Sequence, residues 1–279
     1  MNALKDELRR LYADASKHSV YQNIPDFVSE ELGYAETIDE AWRGDRPRLA
    51  YLTELRVPAH GERWIDFGAN TGFFTLSLAK QYPHATFTAV EANPNHARFI
   101  ERIANYFQMD NVEIVGRAIG LEELHLLPQC DFLLHLNVLH HAGHDFDTTL
   151  MPSRPHFAGY AQRYLALLRE RAKGMFFQMG SNWGGDKNQP LVSAQNNVEK
   201  LKTFTAWLRS AGWHIRATGY ARLENDNTVR YSGLTETEIH ALNVESARTN
   251  PLLETAIDRF SLKEFPGEFY HRPLFLLSA

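Results

Sequence analysis

The chain has 279 residues, 44% of them hydrophobic and 23% charged, and its 29 Lys+Arg against 34 Asp+Glu give a formal charge of −5. That is the make-up of an ordinary globular protein, and it lacks the basic stripe that binding to duplex DNA requires. A single cysteine, Cys130, excludes a disulfide framework and a multi-thiolate metal site, and no apolar run is long enough for membrane insertion.

The N-terminal stretch Met1–His18 is charged throughout and has no apolar signal-peptide core, so the expectation is a cytoplasmic protein. Leu4, Leu8, Leu11 and Tyr12 recur at helical spacing and predict an amphipathic helix over 2–18. A loop through Asn23-Ile24-Pro25 leads to helical pieces over 26–41 and 46–56. Residues 1–58 therefore read as a helical cap, with the main domain over 59–279. From Glu62 onward strand and helix patterns alternate. Strands are predicted at 63–67, 86–91, 112–116, 130–136, 174–179, 214–222 and 273–278, with helices at 73–81, 94–107, 157–172 and 198–211. Residues 225–270 are polar and irregular and read as an insertion before the last strand. Strands alternating with helices of this length imply an α/β fold with a mainly parallel, doubly wound sheet.

The segment Asp66-Phe67-Gly68-Ala69-Asn70-Thr71-Gly72 carries a strand into a glycine-containing turn and then a helix, which lets a ligand approach the backbone at a helix N-terminus. A dinucleotide fingerprint would place glycine at 68, 70 and 73. Asn70 and Phe73 stand at two of these, and no Gly-Lys-Ser/Thr follows, so pyrophosphate binding is disfavoured. Nineteen residues beyond Gly72, Glu91 ends the second strand. A carboxylate there can accept both ribose hydroxyls, although beside Asn93-Pro94 it can also be read as a helix-cap acid.

These residues resemble the first two motifs of class I S-adenosylmethionine-dependent methyltransferases, in which asparagine is a common variant at the middle glycine. The resemblance covers roughly residues 60–220 and the last strand. It implies a seven-stranded Rossmann-like sheet with S-adenosylmethionine as cofactor, and a cofactor site made of Asp66, Gly68, Asn70, Gly72, Phe73, Glu91, Ala92, Ala118, Ile119 and Asn137. Arg117 stands where the family often has an acidic residue beside the adenine, which leaves that contact to backbone and to Ala118 or Ile119.

Ligands of open α/β sheets bind outside the carboxyl ends of the strands. The fourth strand ends in Asn137-Val138-Leu139-His140-His141-Ala142-Gly143-His144-Asp145 and the fifth in Gln178-Met179-Gly180-Ser181-Asn182-Trp183. Methyl transfer to a hydroxyl needs alignment and removal of a proton, which suits an imidazole titrating near neutrality. His140 or His141 is the candidate base, and His144, Gln178, Asn182 and Trp183 are candidates for holding the acceptor. A metal reading of His140, His144, Asp145 and Asp147 is weaker, because Gly143 interrupts any helix and no third ligand falls at a fixed spacing.

Among methyltransferases, the amino-directed enzymes of nucleic acids carry Asn/Asp-Pro-Pro-aromatic where this chain has Asn137-Val138-Leu139-His140. Cytosine C5 chemistry needs a thiol, and Cys130 is at the wrong end of its strand. The amides, imidazoles and indole favour a polar hydroxyl-bearing small molecule or a saccharide as partner. An RNA (tRNA) acceptor and a non-catalytic cofactor-binding subunit are the alternatives. The N-terminal helix serves equally as a lid or as a contact in a homo-oligomer.

Overall fold

The computed structural model describes residues 2–34, 36, 43–192, 196–244, 249–265 and 267–279. They fall into two compact units, Met1–Ile119 with Cys130–Leu134, and Gly120–Gln129 with His135–Ala279.

In the first unit, helix α1 (Asn2–Tyr12) ends well before the predicted residue 18. Asp14 accepts the Ser16 N–H at 3.0 Å and Ser16 Oγ accepts the His18 N–H at 3.1 Å. Short polar side chains thus take the backbone donors that a further helical turn would need. Residues 13–24 form an irregular strap in which Val20 has φ +54°, an outlier for a β-branched residue. Its end is moored by Asn23, whose N–H donates at 2.8 Å to Asp45, itself in a buried ion pair with Arg48 at 2.5 Å. Of the helix expected over 26–41, α2 (Asp26–Leu32) stops at Gly33, whose φ of +58° suits a left-handed cap. Residues 35 and 37–41 of that expectation lie outside the described residues. Helix α3 (Asp45–Leu55) follows.

Strands β1 (Arg63–Phe67), β2 (Thr86–Val90) and β3 (Val112–Val115), helices α4 (Phe73–Gln81) and α5 (Pro94–Tyr106), and strand β4 (Cys130–Leu136) then form within a residue or two of their predicted bounds. The order is β3-β2-β1-β4, with parallel pairing at each step and Ile65 facing both Thr88 and Leu133. Trp64, Ile65 and Phe67 are all buried, the continuous apolar signature of a strand covered on both faces. Cys130 is buried too, and burial pushes its thiol up to about 12, so it is inert.

The second unit takes the end of β4 and adds helices α6 (Phe157–Arg169) and α7 (Asn197–Ser210) with strands β5 (Ala172–Gln178) and β6 (His214–Leu223). It continues through β7 (Val229–Gly233), α8 (Glu236–Val244), α9 (Thr249–Asp258) and β8 (Leu274–Ser278). Its order is β5-β8-β6-β7, with β8 antiparallel to both β5 and β6, and β7 antiparallel to β6. The sheet is therefore mixed and has eight strands, not the expected seven. The additional strand, β7, lies inside the segment read as an irregular insertion. It is an edge strand pairing only with β6, and of its residues only Tyr231 is buried, so it lacks the apolar pattern that reveals a strand. Among the described residues, no helix is long and apolar enough to cross a membrane.

Candidate functional site

In the first unit the glycine-containing turn is built from three left-handed positions, Gly68 (φ +76°), Asn70 (+54°) and Gly72 (+80°). The N–H groups of Gly68 and Ala69 both donate to Val90 O, at 2.8 and 3.1 Å, which pins the turn to the end of β2. A Cβ at Gly72 would lie 2.6 Å from Ile100 Cγ1, so glycine is required there by space as well as by φ. Asparagine tolerates the left-handed region at 70 because its side chain bonds locally. Its Oδ1 accepts the Thr71 N–H at 2.9 Å and its Nδ2 donates to His18 O of the strap at 3.0 Å. The Phe73 N–H, one of the unpaired donors that open α4, reaches Gln22 Oε1 of the strap at 3.2 Å.

Glu91 is 8% exposed. Its Oε2 accepts the Asn70 N–H at 2.7 Å and its Oε1 accepts the Asn93 N–H at 2.8 Å. Burial raises its pKa, against the pull of those two N–H groups. Each oxygen keeps a second lone pair, so the acceptor positions the carboxylate has left suit the two hydroxyl donors of a diol. Asp66 is buried and accepts the Thr75 hydroxyl at 2.7 Å, tying α4 to β1, and burial pushes it up to about 6. The Phe73 ring lies in the core against Phe74, with centroids 5.3 Å apart, so its backbone is what it can offer a ligand. Ala92 and Ala118 are exposed and Ile119 is buried.

In the second unit, Asn137 has φ +62°, which turns the chain sharply out of β4. Its N–H donates to Gln178 O at 2.6 Å and its Nδ2 to Gln178 Oε1 at 3.0 Å, while its Oδ1 accepts from Arg272 Nη1 at 2.8 Å. Gln178 is fully buried, and its Nε2 donates to Arg272 O at 3.2 Å. Both amides predicted to meet a ligand are thus engaged with each other and with Arg272. The register of β8 explains the arrival of that arginine: with Phe177 facing Phe275, the residues before Leu274 fall just beyond the end of β5.

The two adjacent histidines differ in kind. His140 is buried, and its Nδ1 accepts the Gly180 N–H at 3.2 Å, so the neutral ring carries its proton on Nε2 and donates from there. His141 Nδ1 lies 3.0 Å from the Asp145 carboxylate, within ion-pair distance when the ring is protonated. The rings are 4.2 Å apart. His144 is exposed and packs edge-on against Trp183 at 4.3 Å, and Trp183 Nε1 donates to Ala142 O at 2.6 Å. Asp147 accepts from the Leu121 N–H at 2.7 Å and from the Tyr160 hydroxyl, so it is part of the fold's own bonding.

Asn182 Nδ2 donates to Glu268 Oε2 at 2.6 Å. Nearby, the Lys200 ammonium is buried, bonds Asn197 Oδ1 at 3.3 Å and His271 O at 3.4 Å, and is lowered to about 8 by burial. Sequence reasoning missed Asp14, Lys200, Glu268 and Arg272. The Asp14-x-Ser16 pattern is a local signal of a helix stop; the other three carry none, because their partners are supplied by distant segments.

No protein-family model matches the chain, and no curated protein matches it. Solved structures do. WbdD, a bifunctional kinase–methyltransferase, is 17% identical in its complex with a kinase inhibitor, over 98% of this chain and 68% of that one, with a TM-score of 0.50. In a longer WbdD structure the match covers all of this chain but 41% of the other, at 15% identity and a TM-score of 0.47. A SAM-dependent methyltransferase from Aquifex aeolicus is 17% identical over 67% of this chain and 88% of its own, with a TM-score of 0.41. The [4+2]-cyclase SpnF is 15% identical over 85% and 82%, with a TM-score of 0.48. The likeness is one of fold, an α/β fold that this chain shares with WbdD.

Proposed function

We propose that the chain is an S-adenosylmethionine-dependent methyltransferase that acts on a hydroxyl of a polar small molecule or saccharide, with His141 as general base. The observation that carries the cofactor reading is Glu91, a buried carboxylate at the end of β2 whose two oxygens already bind the backbone of the turn at Asn70 and of Asn93. A rigid acceptor pair of that kind suits a vicinal diol. Fold alone would not suffice, since one fold hosts many chemistries.

When bound, S-adenosylmethionine would supply an electrophilic methyl group on its sulfonium. Glu91 would hold the ribose, and the turn from Gly68 to Gly72 would let the ligand approach the backbone. On the acceptor side, His141 Nε2 would take the hydroxyl proton as the oxygen forms its new bond, and Asp145 would stabilise the resulting imidazolium through Nδ1. His140, with Nδ1 turned to Gly180, donates from Nε2 and would orient the acceptor. Asn137 and Gln178 fix the start of the loop that carries both rings. His144, Asn182 and Trp183 complete the acceptor side of the reading.

The test is calorimetric titration of S-adenosylmethionine into the protein and into Glu91→Gln. Loss of charge-assisted hydrogen bonds worth about 1.5–3 kcal/mol weakens binding by about tenfold or more. Transfer of a labelled methyl group to a set of methyl glycosides then reads the acceptor side. His141→Ala is expected to lower that rate by about 10²–10⁴-fold, and His140→Asn by less. Absence of binding by the unaltered protein, or full turnover by His141→Ala, would sink the corresponding half of the reading.

A further inference from the structure

Asn93 is the meeting point of three structures in the first unit. Its N–H holds Glu91 Oε1 at 2.8 Å, and its Oδ1 caps α5 by accepting the Asn95 N–H at 2.8 Å. Its Nδ2 donates to Asp14 Oδ2 in the strap at 2.9 Å. Asn95 Nδ2 reaches the same Asp14 oxygen at 3.0 Å, and Asp14 Oδ1 accepts from the Ser19 hydroxyl and the Ser16 N–H. Burial would raise the Asp14 carboxyl, but the hydrogen bonds from Ser19, Asn93 and Asn95 outweigh it and hold it well below the usual carboxylate range. A second line runs through His96, which is fully buried. Its Nε2 lies 3.2 Å from Ser19 Oγ and 3.7 Å from Asp14 Oδ1, and its Nδ1 lies 3.9 Å from Glu91 Oε1. Burial lowers its pKa, against the pull of Asp14, and the ring is wedged between two carboxylates.

We infer that Asp14 and His96 are positioning residues for ribose recognition: they hold Glu91 through Asn93 and by packing, so that the N-terminal strap sets the cofactor's ribose selectivity. This rests on the reading of Glu91 given above. Two carboxylate lone pairs can meet two vicinal hydroxyls only if the carboxylate plane is fixed, and Glu91 is fixed on one side by the turn and on the other by Asn93. Asn93 is in turn oriented by Asp14. Asp14 bonds Asn93 and Asn93 bonds Glu91, so the effect inferred for Asp14 is specific to the hydroxyls that Glu91 would accept.

The experiment is calorimetric titration of S-adenosylhomocysteine and of its 2′-deoxyribose analogue into the unaltered protein, Asp14→Asn, His96→Asn and Glu91→Gln, with the melting temperature of each recorded. The unaltered protein is expected to prefer the ribose ligand by about tenfold. Asp14→Asn should weaken the ribose ligand by about fivefold or more while leaving the deoxy analogue within about twofold, so that the preference collapses. Combined with Glu91→Gln, it should add nothing further. Ser19→Ala, which leaves Asn93 untouched, gives a smaller loss of the same selective kind and keeps the test open if Asp14→Asn lowers the melting temperature. Equal losses for both ligands, or additive losses in the double variant, would overturn the inference and make the strap a wall of general function. Binding by the unaltered protein without ribose preference would overturn the role of Glu91 and this inference with it. No binding of either ligand would overturn the cofactor reading itself.

Discussion

Asp66→Asn is expected to make the protein more stable at and above neutral pH, by an amount that depends on pH in a defined way. Asp66 is 6% exposed near the carboxyl end of β1, accepts the Thr75 hydroxyl, and has its pKa raised by burial from 3.8 to about 6. A folded state that holds a proton more tightly than the unfolded chain is stabilised by it below the unfolded pKa and loses that stabilisation as pH rises through the folded pKa. At 1.36 kcal/mol for each pH unit, the shift is worth about 3 kcal/mol in full, of which about 2 kcal/mol is lost between pH 4.5 and 8. Asparagine has no proton to lose, and its Oδ1 can still accept the Thr75 hydroxyl. The difference in unfolding free energy between the variant and the unaltered protein should therefore grow by about 2 kcal/mol from pH 4.5 to pH 8. With an unfolding entropy of about 2.1 cal/mol/K per residue, that corresponds to a rise of about 3 °C in Tm. Urea titrations of both proteins at several pH values measure it. A difference that stays constant across that range would refute the reasoning, because it would mean that Asp66 titrates alike in the folded and unfolded chains.

Gly72→Ala should cost about 2–5 kcal/mol, the sum of a left-handed φ and a Cβ driven to 2.6 Å from Ile100 Cγ1; pairing it with Ile100→Ala should restore the steric part in a urea titration. Gly180→Ala should displace the His140 ring, whose Cδ2 and Nε2 would each lie 2.8 Å from the new Cβ, and NMR of the imidazole nitrogens should show Nδ1 released from its hydrogen bond. Arg272→Met leaves Asn137 Oδ1 without its charged donor and should cost about 1.5–3 kcal/mol. Asn137→Ala should remove the same interaction, so the double variant is expected to be less destabilised than the sum of the two, and strict additivity would sever the link.

Much of the fold was legible because it depends on near neighbours. The apolar runs at 63–67, 86–90 and 130–136 are strands because they are buried on both faces, and that burial is written as continuous hydrophobicity. The turn at Gly68, Asn70 and Gly72 was legible because few residue types accept φ > 0, and Glu91 because it ends a strand at a known distance from that turn. Where local chemistry competed with periodicity, the pattern misled. Leu4 to Tyr12 sets a helical rhythm that Asp14 and Ser16 cut off by taking backbone donors for themselves.

The sequence by itself determined the alternating strands and helices, the turn geometry and the carboxylate that faces it, since each follows from the conformational limits of a few adjacent residues. Tertiary structure alone decided the surroundings of the two adjacent rings: Gly180 N–H donates to Nδ1 of His140, and the Asp145 carboxylate lies beside Nδ1 of His141. It alone brought Arg272 onto Asn137 through the antiparallel register of β8, and Asp14 onto Asn93 across 79 residues of chain. Such partners meet only after chain closure, and nothing in the local spacing of either residue encodes the other.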